Sequence, residues 1–117
     1  MAPAQVIQDY FAALGRKQGW ESFLADDVIF TSHASPGRRL SGKEAYLGAT
    51  RRFFSMISAV EVKELIVDGG KACALTRYEL QPPGGRPFES EVAEVFGVRD
   101  GKIASLGIYF DSAPYPK

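Results

Sequence analysis

Apolar side chains recur every three or four positions between Ala4 and Leu14, at Val6, Ile7, Tyr10, Phe11 and Leu14. That spacing lays them along one face of a helix, and Gly15 stands where a left-handed residue closes a helix. "GWESFLADD" repeats the pattern briefly, with Trp20, Phe23 and Leu24 inward, and predicts a second short helix. "DVIFTSH" then switches to the β-branched and aromatic residues that favour strand. "ASPGRRL" is rich in turn residues and reads as a loop. Ser41 and Glu44 have the spacing of a capping box, which starts a third helix running to about Ser58. It buries Leu47, Phe53, Phe54 and Ile57 and turns Arg51 and Arg52 to water.

After Val60 the period changes to two. "VEVKELIV", "KACALTRYEL", "FESEVAEVFGV" and "KIASLGIYF" are separated by "DGG", "QPPGGRP" and "RDG". These separators supply the backbone angles that hairpins need, so the four strands are expected to pair in sequence as an antiparallel meander. The order is ααβαββββ in a single domain spanning 1–117. Three amphipathic helices need one sheet face to cover. The expected fold is therefore α+β, a cone-shaped half-barrel with a curved, mostly antiparallel sheet wrapped over three N-terminal helices and a cavity between the layers.

Strand alternation assigns the candidate chemistry. One face of "SEVAEVFGV" collects Ser90, Val92, Glu94, Phe96 and Val98, so a glutamate interrupts an apolar row. Burial disfavours its charged form and makes Glu94 a candidate proton donor or shuttle. The plainer reading is a carboxylate satisfied by Arg77 or by a backbone amide. Tyr78 shares the Ala72, Ala74, Thr76 and Leu80 face and can add a hydroxyl. Leu106, Ile108 and Phe110 line the same cavity from the last strand, Phe30 and Ser32 from the first. Asp111 falls on the opposite side, where an acid serves structure, capping a neighbouring turn or meeting an arginine across a dimer interface. His33 is the chain's single histidine; this residue type titrates near physiological pH, and the end of the first strand would set it at the cavity mouth as a candidate base. Arg38 and Arg39 in the turn-rich loop can clamp an anionic group, with a solvated loop the simpler explanation. Cys73 alternates with Leu75 and reads as a small core residue.

Composition narrows the functional classes. The chain has 14 basic and 14 acidic residues, so it lacks the basic surplus that drives nucleic-acid binding. One cysteine and one histidine make neither an intrachain disulfide nor the clustered ligands of a zinc site, and no cofactor is expected. No apolar run approaches the ~18 residues that span a bilayer, and "MAPAQVIQDYF" has no basic-then-apolar leader pattern. The expectation is a cytoplasmic protein without a membrane or nucleic-acid partner.

The order of elements, with "YFAAL" on the first helix, "FLADDVIF" entering the first strand and "VFGVRDGKIASLGIYFD" at the end, resembles the NTF2-like superfamily. More narrowly, it resembles the SnoaL-like and ketosteroid-isomerase-like branch. The resemblance implies a cone-shaped domain, homodimeric as a rule, with an apolar pocket for a small molecule. It puts the oxyanion-donor tyrosine of the isomerases on Tyr10 and their protonated acid at or near Glu94. The isomerase base falls near Ser32 and the SnoaL-type cyclase acid near Ile108, neither of which carries a carboxylate. Tyr10, Glu94 and His33 are therefore the candidate catalytic residues of a cofactor-independent isomerase, cyclase or hydrolase, with Phe30, Ser32, Tyr78, Leu106, Ile108 and Phe110 around the ligand. The same scaffold also hosts modules without chemistry. The missing carboxylates fit a retired active site that still binds a small molecule. A filled interior would favour an interaction module using the outer sheet face with Arg77, Glu79, Glu89 and Glu91.

Overall fold

A computed structural model describes residues 2–34 and 37–115. Helix α1 spans Pro3–Arg16 and buries Val6, Ile7, Tyr10, Phe11, Ala13 and Leu14, the stripe expected from the sequence. It passes through Gly15 and ends two residues later, where Lys17 takes the left-handed conformation with φ 57°. The amides of Lys17 and Gln18 then bond to the carbonyls of Leu14 and Ala13, and these bonds offset the ~1–2 kcal/mol that a left-handed residue with a Cβ costs.

The second expected helix is a 3-10 turn, Trp20–Phe23. Leu24 already opens strand β1, Leu24–Ser32. The loop expected over "ASPGRRL" is partly strand: β2, Arg38–Ser41, pairs antiparallel with β1, Ser32 opposite Arg38 and Ile29 opposite Ser41. Ser35 and Pro36 of that stretch lie outside the described residues. Only Leu40 in this strand is apolar, and a four-residue edge strand carries too little alternation to mark itself in the sequence. Its presence also undoes the capping box. Ser41 is tied to β1, and helix α2, Lys43–Met56, starts from Gly42 with no side-chain cap. Tyr46 is buried on α2, Leu47, Phe53 and Phe54 are half-buried, and Arg51 and Arg52 are exposed as expected. Ile57 is buried as the first residue of the next strand.

That strand, β3, spans Ile57–Asp68 and is followed by β4, Lys71–Leu80, β5, Phe88–Arg99, and β6, Lys102–Phe110. The four form the expected antiparallel meander. Asp100 and Gly101 close the β5–β6 hairpin with φ of 54° and 75°, the double positive φ that a tight two-residue turn demands. The β1–β2 hairpin joins the meander through a parallel pairing of β1 with β6, giving the order β2-β1-β6-β5-β4-β3. The sheet is therefore mixed, with four of its five pairings antiparallel. It is not closed, and the two α-helices and the 3-10 turn cover its inner face.

Candidate functional site

Strand β5 sends Ser90, Val92, Glu94 and Phe96 inward, and all four are buried. Its partner β4 sends Ala72, Ala74, Thr76, Tyr78 and Leu80 to the same side. Glu94 lies opposite Ala74 on β4 and Ile108 on β6, so it occupies the middle of the sheet and is 3% exposed. Its carboxyl is satisfied from its own sheet. Thr76 Oγ1 donates to Oε2 at 2.8 Å and Tyr78 Oη donates to the same oxygen at 2.6 Å. Thr76 also contacts the Val92 carbonyl at 3.0 Å. Arg77 is not the partner; it projects from the outer face and bonds Glu61 and Glu89.

Burial pushes the Glu94 carboxyl up to about 7, against the pull of the bonds from Tyr78 and Thr76, which favour the carboxylate. Three buried tyrosines from three elements face this acid. Tyr10 comes from α1, Tyr46 from α2 and Tyr78 from β4. Burial raises the pKa of each, and the proximity of Glu94 raises it further. The hydroxyls of Tyr10 and Tyr46 also interact with each other. All three phenols stay neutral near physiological pH and present hydrogen-bond donors, not bases.

Aromatic rings pack around this group. Tyr10 meets Phe96 edge-on at 5.9 Å and Trp20 at 6.4 Å, while Phe53 meets Tyr78 at 5.5 Å. From α2, Tyr46 packs on Phe30, Phe53 on Tyr78 and Phe54 on Trp20. The surface depressions lie elsewhere. One of about 440 Å³ sits against Lys63, Leu75 and Glu91, and another of about 550 Å³ against Asp26, Asp27, Arg99 and Lys102. Neither they nor the smaller ones on the outer sheet face are lined by Tyr10, Tyr46, Tyr78 or Glu94.

Of the residues proposed from the sequence, Tyr10, Tyr78 and Glu94 are brought together. Phe30 and Leu106 are buried in the same core, and Ile108 and Phe110 pack against it half-buried. Ser32 is half-buried at the end of β1, paired with Ile108. His33 is not in this group. It is exposed on the outer face, where its ring stacks on Tyr109 at 4.1 Å over Gly107. Strand alternation decides this, since His33 follows Thr31 and Ile29, opposite in parity to Phe30 and Ser32. Asp111 is exposed, and its Oδ1 accepts the amide of Ala113 at 3.0 Å, a turn cap. Cys73 is half-buried on the outer face beside Ile66 and Val95, not in the core. Among the described residues, no three His, Cys, Asp or Glu side chains converge to hold a metal.

Two site residues were not singled out from the sequence. Tyr46 has a helical spacing to Thr50, Phe53 and Phe54 that marked it as facing inward, and its hydroxyl could have been read like that of Tyr10. Tyr115 lies beyond the last strand, where no periodicity applies. Its hydroxyl bonds Ser90 Oγ at 2.7 Å, and its ring packs on Phe53, Phe88 and Phe110. Burial raises its pKa, and Glu94 adds to the rise.

The profile of the SnoaL-like domain matches residues 7–106. The chain belongs to the SnoaL-like family. Solved structures with the same fold include an NTF2-like protein from Burkholderia thailandensis, 20% identical, with a TM-score of 0.82 over 97% of this chain and 94% of that one. Another is a protein with a ketosteroid isomerase-like fold from Catenulispora acidiphila, solved in complex with trimethylamine. It is 20% identical, with a TM-score of 0.75 over 93% of this chain and 87% of that one. A third is an NTF2-like protein of unknown function from Burkholderia pseudomallei, 22% identical, with a TM-score of 0.80 over 95% and 92%. At these identities the likeness speaks for the fold alone. No curated protein matches the sequence. No helix of the described chain is long and apolar enough to cross a membrane.

Proposed function

We propose that this SnoaL-like domain binds a small, mostly apolar molecule between its helices and the inner sheet face, and that Glu94 holds one oxygen of that molecule. The observation that carries the reading is a carboxyl buried in an apolar interior, with the Thr76 and Tyr78 hydrogen bonds both on Oε2 and a pKa that burial raises to about 7. Protonated, it keeps Oε1 for another partner. An acid in that state donates to a carbonyl or enol oxygen, and in a water-poor site such a donor counts more than in solvent. The tyrosines around it are donors of the same kind. The aromatic side chains around Glu94 supply the apolar contacts to such a ligand.

Any turnover would rely on Glu94 for both proton steps. His33 lies on the other face of the sheet, Ser32 has no carboxylate, and the buried phenols do not ionise near neutrality. An isomerisation that moves one proton within the ligand meets that condition; a hydrolysis needing a separate base does not. The same observations favour a second reading, a binder without chemistry. Titration with 2-cyclohexenone, followed by NMR, tests the site. Glu94→Gln is expected to weaken binding several-fold above its effect on stability, and conversion between enone isomers separates enzyme from binder. Equal affinity of wild type and Glu94→Gln would overturn the assignment.

We further propose that two copies associate through the outer sheet face. Ile66 is 56% exposed, Tyr109 51% and Val95 40%; Cys73 on β4 links Ile66 to Val95, and Tyr109 stands diagonal to Val95 on β6. A row of exposed large apolar side chains on one sheet face is a surface that association would cover.

A further inference from the structure

Among the described residues after β6, one side chain packs on the body. Asp111, Ser112, Ala113 and Pro114 are exposed, and Tyr115 is half-buried. The turn is short and local: Asp111 caps Ala113 and the Tyr115 amide bonds the Ser112 carbonyl at 3.1 Å. It swings the Tyr115 ring back over the end of the inner face. There the ring lies 5.1 Å from Phe88, 5.2 Å from Phe110 and 6.4 Å from Phe53. Its hydroxyl meets Ser90, which is 2% exposed. A three-walled aromatic slot with a buried hydroxyl at its floor is thus occupied by a phenol from the chain itself.

We propose that this slot is a binding subsite for a planar, hydroxyl-bearing aromatic ring, and that Tyr115 is its resident occupant, displaced when such a ring binds. The inference rests on the ligand-binding reading above and names the chemical class that the far end of the site accepts. Three features of the contact set the class. Edge-on and tilted packing against Phe88 and Phe110 favours a flat ring over a puckered one. Ser90 Oγ both donates and accepts, so it pairs with a phenolic hydroxyl in either sense. The contacts lead inward, since Phe53 packs on both Tyr115 and Tyr78, and Tyr78 holds Glu94. Ser90 and Glu94 stand four residues apart on β5, about 13 Å along the strand. A ligand with a phenolic ring and a second oxygen at that separation would meet both.

Among the described residues of the segment only Tyr115 packs on the body, so its displacement breaks few contacts there. It still lowers the apparent affinity of the wild-type protein by the fraction of time the slot is open. Removing the resident ring should therefore reveal the subsite. The probe is p-cresol, which has the shape of the tyrosine side chain. Tyr115→Ala is expected to bind p-cresol roughly tenfold or more tightly than wild type. Adding Ser90→Ala should weaken that binding roughly threefold to tenfold, as loss of one hydrogen bond predicts. Tyr115→Phe, which keeps the ring, should remain closed to the probe. A folded Tyr115→Ala protein that ignores p-cresol at millimolar concentration overturns the proposal, as does one that binds toluene equally well. Should Tyr115→Ala not fold, wild type titrated with p-cresol decides. The ring resonances of Tyr115 are expected to move to solvent-exposed positions, and their staying fixed up to the solubility limit overturns the idea. The readout depends on Ser90 and not on Glu94, whereas 2-cyclohexenone reports on Glu94. Failure of the subsite is therefore distinguishable from failure of the Glu94 assignment.

Discussion

Tyr78 donates a 2.6 Å hydrogen bond to Glu94 across the β4–β5 pair, from a residue sixteen positions earlier in the chain. The two side chains share one face of the sheet because both strands keep strict alternation, Ala74 lying opposite Glu94 and Ser90 opposite Tyr78. The bond is diagonal, reaching from the Ser90 position toward Glu94 past Thr76, which donates to the same oxygen. Two donors on one oxygen make the carboxylate form tolerable where burial alone would suppress it.

The acid sets a pH dependence of stability. Its folded-state pKa is about 7 against an ordinary 4.5. Between these values the folded chain holds a proton that the unfolded chain has released, so stability falls as pH rises through the window. Full deprotonation costs roughly 3 kcal/mol. The groups facing the acid are Tyr10, Tyr46, Tyr78 and Tyr115, all with raised pKa, so none of them competes near neutrality. Urea denaturation at pH 5 and pH 8 should show wild type less stable at the higher pH, and Glu94→Gln should remove most of the difference. An unchanged slope in the variant would place the titration elsewhere.

Removing Tyr78's hydroxyl should act on the charged state more than on the neutral one. A hydrogen bond to an ionised group is worth about 1.5–3 kcal/mol and one to a neutral group about half that. Tyr78→Phe is therefore expected to destabilise by roughly 2 kcal/mol at pH 8 and by about 1 kcal/mol at pH 5, with the Glu94 pKa moving further up. Denaturation at both pH values, with the Glu94 carboxyl followed by carbon NMR, checks the direction. Equal losses at the two pH values would mean that the bond matters only as packing.

How much of this was legible in the sequence follows from how far each signal reaches. Period-two alternation placed Glu94, Tyr78 and Ser90 on the buried face, and the hairpin residues fixed the meander. Alternation also carried enough information to place His33 on the outer face with Thr31 and Ile29, but a residue at a strand end was read from its position at the rim. The parallel β1–β6 pairing and the short strand β2 depend on contacts between distant segments, and a four-residue strand has no periodicity of its own. The packing of the interior was illegible for a further reason. Whether Phe53, Phe54 and Tyr46 leave space beside an acid depends on ring orientation, which alternation and helical spacing do not encode. Tyr115, outside any periodic element, gave no signal at all.

The ion pairs on the outer face should contribute little. Arg77 bonds Glu89 at 2.7 Å and Glu61 at 3.3 Å, and Lys63 bonds Glu91 at 2.8 Å. The carboxylates are well exposed, and water and salt screen such pairs, so they add little to stability. Arg77→Ala is expected to change stability less than Tyr78→Phe does at pH 8, and its effect should shrink further in high salt. A loss in chemical denaturation larger than that of Tyr78→Phe would show that the network is shielded by something covering the face.

Such a cover is what self-association supplies, and it yields a prediction about Val95. This residue is 40% exposed and lies between Cys73 on β4 and Gly107 on β6, near the centre of the apolar row. A lysine there keeps its stem along the sheet and carries its charge into water in a lone copy, so the fold tolerates it. Between two copies the same charge is buried without a partner, at a cost of several kcal/mol. Wild type is expected to sediment as a dimer at micromolar concentration, and Val95→Lys as a monomer with an unchanged circular dichroism spectrum. A monomeric wild type across that range would remove self-association, whereas a dimer indifferent to Val95→Lys would move the interface to another face.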